Sequence, residues 1–71
     1  MPEGLTNRLR ELRGGLGLTQ AELAERVGVS RKTINTVENG VFVPSTTLAL
    51  KLARALSCPV EAIFSLDDEE Q

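Results

Sequence analysis

Few of the 71 residues can do covalent chemistry. There is no histidine, and the one cysteine, Cys58, lies among apolar neighbours between two helical patterns, where it suits a small buried hydrophobe. The only clustered carboxylates are the C-terminal run Asp67-Asp68-Glu69-Glu70, and no glycine-rich loop follows a strand pattern. This inventory offers no acid–base pair, no metal set and no phosphate-cradling loop, so an enzyme is excluded and neither metal nor cofactor is expected. No small-molecule ligand is evident. The remaining chemistry is that of hydrogen bonds and charge: Arg31 and Lys32 directly behind Ser30, with Asn35 and Thr36 one helical turn further on.

The stretch that must position those side chains runs from Thr19 to Gly40. Thr19 can N-cap a helix while Glu22, three residues later, reaches back to the cap's own N–H, which is a capping box. Leu23, Ala24 and Val27 fall on one helical face, and Gly28 ends the helix in the left-handed conformation. Two residues on, Ser30 offers a second N-cap, and Ile34 and Val37 turn the next helix inward until Asn39-Gly40 closes it. Helices joined by so short a turn cross steeply, as in a helix-turn-helix, and the small side chain of Ala24 suits that crossing. The second helix of such a unit stands proud and fits a DNA major groove; a plain helical hairpin is the alternative.

The flanking chain reads as support. Leu5, Leu9, Leu12 and Leu16 predict an amphipathic first helix over about 5–16, which Gly14-Gly15 ends or loosens. Leu18 plugs the core ahead of the Thr19 cap. Pro44 biases Val43 toward extended backbone, so Val41-Phe42-Val43 is a loop, in which Phe42 either folds back on the core, the favoured arrangement, or sits exposed. Ser45 caps a helix whose stripe is Leu48, Ala49, Leu52, Ala53 and Leu56, with Lys51 and Arg54 outside. A last short helix begins near Pro59 and buries part of Val60, Ile63 and Phe64.

Apolar residues with helical periods and no strand alternation predict an all-α class with an aliphatic core, aromatics being only 3%. Such a chain is one small domain of limited burial, over 1–66, with residues 67–71 an acidic disordered tail. No apolar run suits a signal peptide or a membrane span, so a cytoplasmic protein without membrane contact is expected. The net charge of −2 and pI near 5.0 argue at first against nucleic acid. The distribution matters more: residues 1–40 hold six cations against five carboxylates, and residues 41–71 hold two against five. Binding to DNA must then come from a local patch.

About Asn7 to Leu66, nearly the whole chain resembles the phage-repressor/Cro-like helix-turn-helix family, also called the XRE family. The likeness rests on Leu18-Thr19-Gln20, Glu22-Leu23-Ala24, Val27-Gly28-Val29-Ser30, Thr33-Ile34, Glu38-Asn39-Gly40, Pro44-Ser45 and Val60-Glu61-Ala62-Ile63-Phe64. It implies a compact five-helix lambda-repressor-like bundle that binds double-stranded operator DNA, usually as a homodimer on palindromic half-sites, and regulates transcription, here as a repressor that occludes a promoter. Arg31 and Lys32 match the family's principal base-reading positions. Both suit guanine, whose O6 and N7 an arginine can bond together, or alternatively a phosphate. Asn35 can read adenine or bond a phosphate, and Thr36 can offer its methyl to thymine or its hydroxyl to a phosphate. The resemblance places Thr19, Gln20, Ser30, Thr33 and Asn39 at phosphates, with the Gln20 side chain able to brace Arg31. It pairs Arg13 with Glu38 in a structural salt bridge. The dimer surface expected on the C-terminal helix comprises Leu56, Val60, Ile63, Phe64 and Leu66, shared with the monomer core.

The chain departs from the family pattern where Val41-Phe42-Val43 replaces a basic or polar loop, where Gly14-Gly15 replaces charged residues, and where Pro59 replaces a serine cap. The apolar loop and the acidic tail favour a second class of function, an antitoxin-like or other protein-interaction module. Arg31 and Lys32 on the exposed helix tell against it.

Overall fold

The computed structural model describes residues 4–67, and the acidic tail beyond Asp67 lies outside the described residues. The element order is β1 (Leu5–Asn7), α1 (Leu9–Gly15), α2 (Gln20–Val27), α3 (Arg31–Glu38), α4 (Thr46–Leu56), α5 (Val60–Ile63) and β2 (Phe64–Leu66). Five helices agree with the all-α expectation. The two strands correct the expectation that there would be none. They pair antiparallel in the register Leu5↔Leu66, Thr6↔Ser65 and Asn7↔Phe64, tying the two ends of the domain together. Three-residue strands are too short to display a period-two pattern.

The first helix therefore starts at Leu9, not Leu5. Its start is set by Asn7, whose Oδ1 accepts from the Leu9 N–H at 2.9 Å while its Nδ2 donates to the Val37 carbonyl at 2.9 Å. A short amide side chain that bonds its own backbone two residues on makes a turn, and here that turn outcompetes another helical turn. The helix ends at Gly15 as the glycine pair foretold. Leu16 consequently falls beyond the helix and is 54% exposed instead of completing the leucine stripe.

The next three helices start as their caps require. At α2 the capping box is complete: Glu22 N–H donates to Thr19 Oγ1 at 3.0 Å and Thr19 N–H donates to Glu22 Oε1 at 2.8 Å. Gly28 closes the helix at φ +76°, in the left-handed region. Ser30 Oγ accepts from Thr33 N–H and Ser45 Oγ from Leu48 N–H, each at 3.1 Å. Pro59 sits one residue before α5, at its N-cap.

One aliphatic core joins the elements. Leu9 of α1, Leu23, Ala24 and Val27 of α2, Ile34 and Val37 of α3, Leu48, Leu52, Ala53 and Leu56 of α4, and Ile63 of α5 are all buried, and Cys58 packs half-buried at its edge. Phe42 does not join it. It stays 46% exposed in the α3–α4 loop. Among the described residues no helix is long and apolar enough to cross a membrane.

Candidate nucleic-acid interface

The inner face of α3 is fixed by Ile34 and Val37, both 0% exposed, and this determines which residues the helix turns outward. Arg31 and Lys32 are exposed in its first turn, and Asn35 and Thr36 are half-buried one turn later. Among the described residues neither Arg31 nor Lys32 has a carboxylate partner. Two cations without counter-charges at the front of an anchored helix can meet an anion or a polar groove edge.

The neighbouring polar side chains are arranged around one carboxylate. Glu38 ends α3 with its side chain fully buried. Arg13 grips it with two bonds, Nε to Oε2 at 2.6 Å and Nη2 to Oε1 at 3.2 Å, and spends Nη1 on the Leu18 carbonyl at 2.8 Å. Gln20 Nε2 donates to Oε1 at 3.0 Å, and Arg10 Nε donates to the same oxygen at 3.3 Å. Burial by itself pushes the Glu38 carboxyl up. The hydrogen bonds from Arg13 and Gln20, the Arg13 charge and the Arg10 bond together outweigh it and hold the group below the ordinary glutamate range. Correspondingly, the bond to Glu38 raises Arg13 further against the opposing effect of burial.

The network reaches the outward residues of α3. Arg31 Nη1 donates to Gln20 Oε1 at 3.3 Å, so Gln20 braces Arg31 and both ends of its amide are engaged. Its backbone remains in the first turn of α2, where N–H groups lack intrahelical partners. Thr36 donates its hydroxyl to the Thr33 carbonyl at 2.9 Å, leaving its methyl as the uncommitted group. The hydroxyls of Ser30 and Thr33 bond each other at 3.0 Å. Asn39 is exposed at the end of α3 and bonds both Asn35 and Arg10.

Arg10 is the residue that sequence reasoning missed. It stands one turn before Arg13 on α1, and that spacing already placed the two arginines on one helical face.

The residues expected at a dimer surface divide. Leu56 and Ile63 are 6% and 1% exposed and close the monomer core, so they have no area to offer a partner. Val60 and Phe64 are half-buried and Leu66 is exposed. With Leu5, Val43, Pro44, Ala49 and Leu50, Val60 and Phe64 line an apolar groove on the flank of α4.

Comparison with known proteins gives a consistent picture. A helix-turn-helix family model matches residues 9–63. The chain is 47% identical over 66 residues to an HTH-type transcriptional regulator of Archaeoglobus fulgidus, covering 93% of this chain and 94% of that one. It is 55% identical over 62 residues to another from Methanothermobacter thermautotrophicus, covering 86% and 90%. Among solved structures, it is similar to the restriction-modification controller protein C.AhdI from Aeromonas hydrophila, with TM-score 0.74, 42% identity and coverage of 78% and 83%. It is also similar to the P22 c2 repressor protein in complex with a synthetic operator, with TM-score 0.74, 35% identity and coverage of 76% and 82%.

Proposed function

Because the chain belongs to the helix-turn-helix family of transcriptional regulators, we propose that it binds double-stranded DNA sequence-specifically, with α3 in the major groove. The observation that carries this reading is the outward first turn of α3, with Arg31 and Lys32 free of carboxylates among the described residues on a helix locked by Ile34 and Val37. Arg31 and Lys32 read bases, with Asn35 and the Thr36 methyl contributing one turn on. Thr19, the Gln20 backbone, Ser30, Thr33 and Asn39 meet phosphates at the groove's edges. The similarity to a repressor solved in complex with a synthetic operator supports the DNA-binding reading.

One module of this size makes few base contacts. The protein therefore acts as a homodimer on two-fold symmetric half-sites, where the second contact gains from high effective concentration. The apolar groove of Leu5, Val43, Leu50, Val60 and Phe64, with exposed Leu66 beside it, supports that assembly. Repression follows from a bound dimer occluding a promoter. Selection from a pool of randomised duplexes tests the reading: two-fold symmetric sequences should be enriched, and a recovered pool indistinguishable from the input would overturn it.

A second reading rests on Val41 and Phe42, which are 73% and 46% exposed where a DNA-binding loop would gain from cations. There the domain docks a partner protein. Retained partner binding by a V41D/F42D double variant would exclude that loop as the docking surface.

A further inference from the structure

Two amides join α3 to the helices behind it, and in each the direction of the amide follows from donor–acceptor chemistry. Glu38 is ionised and only accepts, while Arg31 only donates. Gln20, placed between them at 3.0 and 3.3 Å, must turn its NH2 to Glu38 and its oxygen to Arg31. The second chain begins at Arg10. Its guanidinium has no acceptor, so the Asn39 atom that it meets at 3.0 Å must be Oδ1. Asn39 then has only its NH2 to give Asn35, at 3.1 Å, and Asn35 receives it on its own Oδ1. The group left over on the Asn35 amide is then its NH2, a donor.

We propose that Arg10 is a specificity-positioning residue: through Asn39 it sets the polarity of the Asn35 amide, so that Asn35 presents a hydrogen-bond donor to the base edge. The proposal rests on the DNA-reading function above. Arg10 itself touches no base. It is anchored by Glu38, whose Oε1 accepts from its Nε at 3.3 Å. A donor facing the major groove favours guanine, which shows two acceptors there, over cytosine, which shows an amino group. Without Arg10 nothing forces Asn39 into one orientation, and the amide of Asn35 can present either end.

The same chemistry states what would reverse the preference. An Asn39→Asp side chain still accepts from Arg10 but can only accept from Asn35. It would therefore draw the Asn35 NH2 inward and leave the oxygen outward. The preference for guanine over cytosine should turn into its opposite at the same base pair.

The experiment uses the full chain and the duplex that it selects, with each base tested at the pair whose identity Asn35→Ala renders neutral. We expect the parent to prefer guanine over cytosine there by roughly tenfold or more. Arg10→Met should flatten that ratio to about twofold or less, and Arg10→Lys, which keeps a donor against Asn39, should restore part of it. Asn39→Asp should invert it. Because the Arg10 side chain is 63% exposed, its replacement leaves the core intact. If Arg10→Met instead keeps the ratio while weakening every duplex equally and lowering the salt dependence, Arg10 is a phosphate contact and the proposal is wrong. An unchanged preference in Asn39→Asp would also overturn it.

Side-chain amide NMR on the free protein separates this failure from failure of the DNA reading. The Asn39 NH2 should exchange with water more slowly than that of Asn35, and Asn39→Asp should slow the Asn35 NH2. Equal exchange in the parent overturns the relay itself. The expected exchange pattern without any base preference overturns the DNA reading on which the proposal depends.

Discussion

Removing one carboxylate should cost this domain a large part of its stability. In Glu38→Ala, the Arg13 guanidinium loses both bonds to the carboxylate, and Arg10 and Gln20 lose theirs. Breaking a buried ion pair by deleting one partner costs about 3–5 kcal/mol. The lower end applies here. Arg13 keeps the Leu18 carbonyl and is 15% exposed, and Arg10 is 63% exposed and returns to water. At ~0.05–0.15 kcal/mol per residue the whole domain is stable by about 4–11 kcal/mol, so a loss of about 3 is substantial. Thermal denaturation followed by circular dichroism at pH 7 should show the midpoint falling by about 12–24 °C, at ~4–8 °C per kcal/mol for a domain of this size. Glu11→Ala is the control. Its pair with Arg8 is 67% exposed on the carboxylate side, and the melt should scarcely move.

The pH dependence of that loss has a defined sign. The Glu38 carboxyl is held below its ordinary value, so its stabilisation is fully present above the unfolded value of about 4.3 and is lost as pH falls through the lower folded value. The gap in melting temperature between parent and Glu38→Ala should therefore narrow below about pH 4. A fall of less than about 4 °C at pH 7, or a gap that widens in acid, would refute the account of Glu38 as the hub of the fold.

Two further outcomes follow from the same geometry. Gly28 lies at φ +76° with no atom within 4 Å of where a Cβ would stand, so Gly28→Ala carries backbone strain alone. It should cost about 1–2 kcal/mol by denaturant titration, with Gly28→Asn costing less. Leu50→Glu alters a side chain that is 57% exposed, so the melting temperature should hold while the sedimentation coefficient drops to that of a monomer. A variant that sediments with the parent would remove the groove from the proposed dimer interface.

Sequence legibility followed the range of the interactions. The capping box at Thr19 and Glu22, the caps at Ser30 and Ser45 and the turn at Gly28 are settled within four residues, and they stand where the residues placed them. The pairing of β1 with β2 joins residues about sixty positions apart in strands too short to carry a pattern. Helical periodicity marked Leu56 and Ile63 as an apolar face without saying what covers it, and the cover is the domain's own core. Phe42 takes the less favoured of its two arrangements for a related reason. A loop aromatic has no periodicity to say which way it faces. Within the site, the bond between Arg10 and Asn39 spans 29 positions, and only the α1 face shared with Arg13 hinted at it.

The most direct test of α3 as the reading helix is a salt titration of binding to the selected duplex and to random-sequence duplex, with Arg31→Ala beside the parent. Both duplexes should lose affinity with salt along similar slopes, separated for the parent by a gap that salt does not close. Arg31→Ala should narrow that gap by about 1–3 kcal/mol, all of it at one base pair. Identical curves for the two duplexes, or an Arg31→Ala loss spread evenly over all sequences, would contradict base reading by α3.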